Sequence, residues 1–170
     1  MASIHREENI FTKSNIEKII LFLDKIASKY QKKIILSLHP RLKIALNKNK
    51  LKFSKNIIIQ KPFGFIDYIN LQKNSFFVLS DSGSITEESN IYGFRAINLR
   101  NSNERQEGME EAAVPMCHFD VETAYKIIDF YKNNIELPSI ISDYSSADFS
   151  DKIIKILLSY TNNLKNKYKN

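Results

Sequence analysis

Residues 76–88 read Phe76-Phe77-Val78-Leu79-Ser80-Asp81-Ser82-Gly83-Ser84-Ile85-Thr86-Glu87-Glu88. An apolar run of strand length passes into a short Ser/Gly turn, and the turn opens a helical pattern. Such a junction brings free backbone N–H groups and the positive end of a helix to one point, which attracts a phosphate. The carboxylates one turn into the helix repel a phosphate but accept hydrogen bonds from hydroxyls such as those of a ribose. The stretch therefore reads as a nucleotide cradle. Asp-Ser-Gly before a helix also serves as an ordinary N-cap turn, and the stretch alone leaves both readings open.

Outward from this junction the chain alternates. Residues 14–30 carry apolar side chains at helical spacing (Ile16, Ile19, Ile20, Leu23, Ile26, Ala27), and residues 34–38 are a short apolar run of strand length. A short helix is expected after Pro40, a strand at 57–59, a helix across 66–71, a strand at 76–79 and a helix at 84–91. Beyond it the pattern predicts a strand at 95–99, a connecting segment, a further strand at 112–117 and a helix across 123–131. Residues 136–146 read as a loop before a final helix at about 147–165. This alternation predicts an α/β fold: a Rossmann-like, mostly parallel sheet with helices on both faces and ligands at the carboxyl ends of the strands.

Polar residues stand where that rule requires them. Ser37-Leu38-His39-Pro40, Leu79-Ser80-Asp81-Ser82-Gly83 and Asn98-Leu99-Arg100 each follow a strand, so three strand ends can converge on one crevice. His5 follows a strand of which only Ser3 and Ile4 are present, so the chain is expected to be part of a larger unit. His5 and Arg6 suit a diphosphate grip, an imidazole beside a guanidinium, and equally suit a surface salt-bridge cluster with Glu8. His39 can simply cap a strand. Glu104, Arg105 and Glu107 can be an exposed charged loop, and His118 reads as a loop or core histidine. Arg100, close behind an apolar strand, needs an anionic partner there. Tyr125, Phe130 and Tyr131 have the spacing of packing residues on a helix.

Composition narrows the class. The 170 residues are 43% hydrophobic, enough for one domain with a real core, with no run near the ~20 apolar residues of a membrane span. The net charge of +6 comes from lysines scattered among asparagines and isoleucines, thickest at 43–55 and at Lys165, Lys167 and Lys169. Without aromatic platforms or a basic motif this is a solvated surface, so neither nucleic acid nor membrane is an expected partner. One cysteine, Cys117, excludes an internal disulfide and suits a reducing compartment. Residues 1–3 carry no secretory pattern, and the expected location is the cytoplasm.

The motifs His5-Arg6-Glu7-Glu8-Asn9, His39-Pro40, Asp81-Ser82-Gly83 and Arg100 with Glu104-Arg105-Gln106-Glu107-Gly108, in this order and spacing, resemble the C-terminal half of the non-hydrolysing UDP-N-acetylglucosamine 2-epimerases across roughly residues 3–131. The resemblance implies one half of a glycosyltransferase-B-like fold of two Rossmann-type domains, with residues 1–170 a single UDP-binding domain. It implies an isomerase that eliminates UDP to a 2-acetamidoglycal and re-adds it after the C2 proton returns on the opposite face. Ser82 and Gly83 would hold the β-phosphate, and Glu88 the ribose hydroxyls. His5 would face the diphosphate as the catalytic residue, with Arg6, His39, Arg100 and Arg105 completing the UDP site. No metal or cofactor is implied. The C2 acid and base of the family belong to an N-terminal domain, separate or deleted here, so this half is expected to be inactive alone; the intact enzyme would form a homodimer. The chain departs from the family pattern at Ser84 for glycine, Gln106 and Arg95 for proline, and Arg41-Leu42 for Asn-Pro. Glu107 to Ala112 looks closer to the capsule and O-antigen branch that forms UDP-N-acetyl-L-fucosamine than to the GlcNAc/ManNAc enzymes. A glycosyltransferase nucleotide-sugar domain and a non-catalytic remnant are the alternatives.

Overall fold

The structure, a computed structural model, describes residues 1–102, 104–134 and 140–167, with side chains as far as 160. Five strands, β1 (Ala2–Ile4), β2 (Ile34–Leu38), β3 (Ile57–Gln60), β4 (Val78–Ser80) and β5 (Ala96–Asn98), form one sheet in the order β3-β2-β1-β4-β5. Every pairing is parallel, with Ser3 beside Ser37 on one side and Ser80 on the other. The chain runs outward from β1 to β3, crosses back to β4 and then runs the other way. The loops after β1 and β4 therefore part in opposite directions, and the crevice between them is where a sheet of this kind binds ligands.

The strands are nearly continuous in apolar residues because both faces are covered. On one face Leu36, Leu79, Ile97 and Leu99 pack with α2 (Lys13–Tyr30), α3 (Pro40–Asn49) and α7 (Val121–Asn133) through Ile16, Phe22, Leu42 and Ile128. On the other, Val78 and Ala96 pack against Ile85 of α5 (Ile85–Tyr92). A hydrogen bond from Gln72 Nε2 to Glu88 sets α4 (Phe65–Lys73) beside α5. Local chemistry fixes the ends: Thr12 accepts from Asn15 N–H at the start of α2, Asp120 accepts from Thr123 N–H at the start of α7, and Gly93 takes φ 68° to stop α5.

The expected Rossmann-like sheet is thus present, and four local readings change. The strand expected at 112–117 is a loop with a single bridge, Asn98 to Met116; Ala112 at φ 50° and His118 at φ 45° break its pleat. The helix expected to be short after Pro40 runs ten residues. The connecting segment contains a further helix, α6 (Gln106–Glu110), and residues Glu7–Ile10 form a helical turn, α1. Of the loop expected at 136–146, residues 136–139 lie outside the described residues, and the rest holds a 3-10 turn at Ser142–Tyr144 before α8 (Phe149–Lys167).

Candidate functional site

Asp81 organises the crevice. Its side chain is fully buried at the end of β4, and its carboxylate accepts from the N–H of His5 at 3.0 and 3.1 Å, the N–H of Arg6 at 3.0 Å and Asn9 Nδ2 at 2.9 Å. His5 Nδ1 stands 3.2 Å from Asp81 Oδ1. A buried carboxylate is tolerable when charge-assisted hydrogen bonds fill its lone pairs, and here they clamp the β1 loop to the β4 loop. With Nδ1 turned to Asp81, Nε2 is the ring atom available to a ligand. Arg6 also donates from Nε to the Asp81 carbonyl at 3.3 Å, which aims its guanidinium across the next residues.

Those residues are the phosphate turn. A Cβ placed on Gly83 would lie 3.5 Å from a terminal nitrogen of Arg6, 3.8 Å from one of Arg100 and 3.9 Å from one of Arg105. Three guanidinium groups from two loops, Arg6 after β1 and Arg100 and Arg105 after β5, therefore surround the bare backbone of Gly83. These distances are ordinary contacts, so a side chain would not clash; it would fill the space that the three cations face. The same turn opens α5, and its N-cap residue Ser84 makes no side-chain cap, so its hydroxyl leaves the first N–H groups of the helix uncapped. Gathered cations plus a helix N-terminus make a strong anion site.

Carboxylates orient these arginines. Arg100 is only 6% exposed and donates to Glu104 Oε1 at 2.7 Å, while its Nε is buried without a hydrogen-bond partner. The hydrogen bond from Arg100 holds the Glu104 carboxyl below its ordinary range. Arg105 donates from Nε to Glu87, which pushes its own proton affinity up, so it stays charged at any ordinary pH. The two carboxylates of α5 have separate tasks: Glu87 serves Arg105, and Glu88 accepts from Ser84 Oγ and Gln72 Nε2 at 2.6 Å each.

Beside the turn lies a cavity of about 430 Å³ whose walls include His5, Phe63, Phe65, Tyr68, Ser82 and Glu88. Phe65 is 72% exposed and offers a ring face at the rim. Burial pushes the Tyr68 phenol up, which keeps it a donor. His39 stands on the other side of His5, ring centroids 5.5 Å apart. Burial lowers its proton affinity, and His5 and Arg41 lower it further.

All eight residues singled out from the sequence, His5, Arg6, His39, Ser82, Gly83, Glu88, Arg100 and Arg105, sit at this one sheet edge. The sequence reading did not assign the clamp formed by Asp81, the buried Gln72 or the Phe63–Tyr68 wall. Pro62-Phe63-Gly64-Phe65 directly after β3 was the available signal for that wall, because it places aromatic residues at a strand's carboxyl end. His118, by contrast, is an exposed loop residue away from the turn.

The chain is similar to known proteins over most of its length. It is 31% identical over 164 residues to the UDP-N-acetylglucosamine 2-epimerase of Methanocaldococcus jannaschii, covering 92% of this chain and 43% of that protein. The crystal structure of the Methanocaldococcus jannaschii enzyme in complex with UDP-GlcNAc and UDP superposes with a TM-score of 0.82 at 30% identity, covering 93% of this chain and 44% of the other. The UDP-N-acetylglucosamine 2-epimerase of Rickettsia bellii gives a TM-score of 0.80 at 30% identity, over 98% and 46%. The chain thus spans under half the length of the relatives it matches. Since the family described as UDP-N-acetylglucosamine 2-epimerase also matches residues 1–158, the chain belongs to that family.

Proposed function

We infer that this chain is the UDP-binding half of a non-hydrolysing UDP-N-acetylhexosamine 2-epimerase. The observation that carries this is the convergence of Arg6, Arg100 and Arg105 on Gly83 at the N-terminus of α5, an arrangement suited to a diphosphate. The relative from Methanocaldococcus jannaschii, whose structure holds UDP-GlcNAc and UDP, supports the choice of ligand.

In this reading the turn and the guanidiniums neutralise the diphosphate as it becomes a leaving group, an electrostatic task that needs no proton transfer. His5, set by Asp81, faces the diphosphate with Nε2 as the catalytic residue. Glu88 takes the ribose hydroxyls, and the cavity walled by Phe63, Phe65 and Tyr68 receives the nucleoside. The acid and base that exchange the C2 proton belong to the N-terminal part of the family, so this chain alone holds UDP and does not epimerise. The intact enzyme would work in the cytoplasm as a homodimer, making precursors for a capsule or O-antigen polysaccharide.

Calorimetry with UDP and with pyrophosphate tests the assignment. Removing a charged hydrogen-bond partner costs about 1.5–3 kcal/mol, so Glu88→Ala is expected to weaken UDP roughly tenfold to hundredfold and leave pyrophosphate nearly unchanged. Equal losses for both ligands would remove Glu88 from the ribose site, and no UDP binding at millimolar concentration would defeat the reading.

A further inference from the structure

Glu88 carries a conflict that its place in the site does not explain. A vicinal diol binds a carboxylate best by donating to both oxygens at once. Here both already have protein donors: Oε2 accepts from Gln72 Nε2 and Oε1 from the hydroxyl of Ser84, each at 2.6 Å. The two donors differ in freedom. Gln72 is fully buried on α4, its Oε1 already lacks a hydrogen-bond partner, and withdrawing Nε2 would leave the whole amide unsatisfied. Ser84 is exposed at the head of α5, caps no backbone N–H, and has a second partner within reach, Ser82 Oγ at 3.0 Å on the phosphate turn. A serine side chain changes partner by rotating about one bond between staggered positions.

We propose that Ser84 is a specificity-determining residue that makes diol binding at Glu88 depend on an occupied phosphate turn. This rests on the reading that Glu88 meets the ribose. With the turn empty, the Ser84 hydroxyl stays on Glu88 Oε1 and a nucleoside has to compete with it for that oxygen. With a phosphate on the turn, an anionic oxygen beside Ser82 offers the hydroxyl another strong acceptor, and Ser84 releases Glu88 to the diol. Phosphate and ribose then bind cooperatively through one rotor, and by linkage each raises the affinity for the other. The site favours a ribonucleoside diphosphate over either fragment by more than the fragments' separate affinities predict.

The test is NMR titration of the parent chain, Ser84→Ala and Ser84→Gly with uridine and with 2′,3′-dideoxyuridine, which lacks the diol. Both substitutions remove the hydroxyl, and only one adds backbone freedom, so agreement between them isolates the hydroxyl. Uridine is expected to bind roughly threefold to tenfold tighter to both variants than to the parent, with dideoxyuridine unchanged. Saturating pyrophosphate is expected to tighten uridine binding in the parent and to have little such effect in the variants. Uridine binding no tighter in the variants, or a gain shared by dideoxyuridine, overturns the proposal. If the parent binds UDP and the variants show no gain, the role of Ser84 fails alone; if the parent binds neither UDP nor uridine, the UDP reading fails with it.

Discussion

His39 shows how one side chain links local structure to the crevice. Its Nδ1 accepts a hydrogen bond from Arg41 N–H at 3.3 Å and so caps α3, which requires that nitrogen to be unprotonated. Burial, together with the nearby His5 and Arg41, lowers its proton affinity below the ordinary value of 6.5. The sign follows. Below 6.5 the unfolded chain takes the proton more readily than the folded one, so this contribution to stability is present above 6.5 and is lost as pH falls through the folded value. Long-range nitrogen NMR of the imidazole is expected to give a midpoint below 6.5, with the Arg41 amide shifting in step as the cap opens. A midpoint at or above 6.5, or an Arg41 amide that does not respond, contradicts this account of α3.

At the scale of elements, the arginines depend on how closely α6 approaches α5. A Cβ on Gly108 would lie 2.3 Å from Thr86 Cγ2 and 3.2 Å from Tyr144 Oη, so only glycine allows α6 to sit where it does. Arg105 is the N-cap residue of that helix and pairs with Glu87, while Tyr144 donates to Glu107 at 2.8 Å and holds the other side. Gly108→Ala is expected to cost about 1–3 kcal/mol in denaturant unfolding and to weaken UDP binding by pulling Arg105 away from the turn. Gly64→Ala, where nothing lies within 4 Å, is the control and is expected to change stability by less than about 0.5 kcal/mol. Equal effects from the two would show that α6 is not fixed by this contact.

The same elements show what the sequence made legible. The helices α2, α5 and α7 were readable from apolar spacing, and β2 from its five-residue apolar run, because burial of a face imposes those periods directly. The helices α1 and α6 were not readable. They are four and five residues long, too short to express a period, and tertiary contacts hold them in place. The site residues could be named because strand ends in a parallel sheet converge. The partners that orient them could not: Asp81 clamps His5 from 76 residues away, and Gln72 reaches Glu88 across two helices. Such pairings depend on the order β3-β2-β1-β4-β5, which spacing along the chain does not reveal.

At the scale of the whole molecule, two edges of the sheet compete as binding surfaces. The carboxyl edge carries the clamp at Asp81, the turn at Gly83 and the three arginines. At the opposite edge a cavity of about 370 Å³ is lined in part by Tyr30, Lys32, Phe76 and Phe77. Its size alone would make it a candidate, but its ring faces and lysine ammoniums, with Lys32 Nζ 5.0 Å from the Phe76 ring, satisfy one another, and the helical residues lining it come from the interior or the C-terminal part of α2, α4 and α7 rather than from a helix start that could hold a diphosphate. The helix α8 leaves Phe149, Ile154 and Leu157 exposed, an apolar face that the described residues do not cover. That surface is consistent with a chain spanning under half the length of its relatives.

The measurement that tests the central claim most directly is a backbone-amide NMR titration of this chain with UDP. The largest shifts are expected at His5, Arg6, Gly83, Ser84 and Ile85, where the clamp, the turn and the first N–H groups of α5 meet, with smaller shifts at Phe65 and Tyr68 along the nucleoside cavity. Shifts centred on Tyr30, Lys32, Phe76 and Phe77 at the opposite edge, or none at millimolar UDP, would contradict the assignment of this crevice as the UDP site.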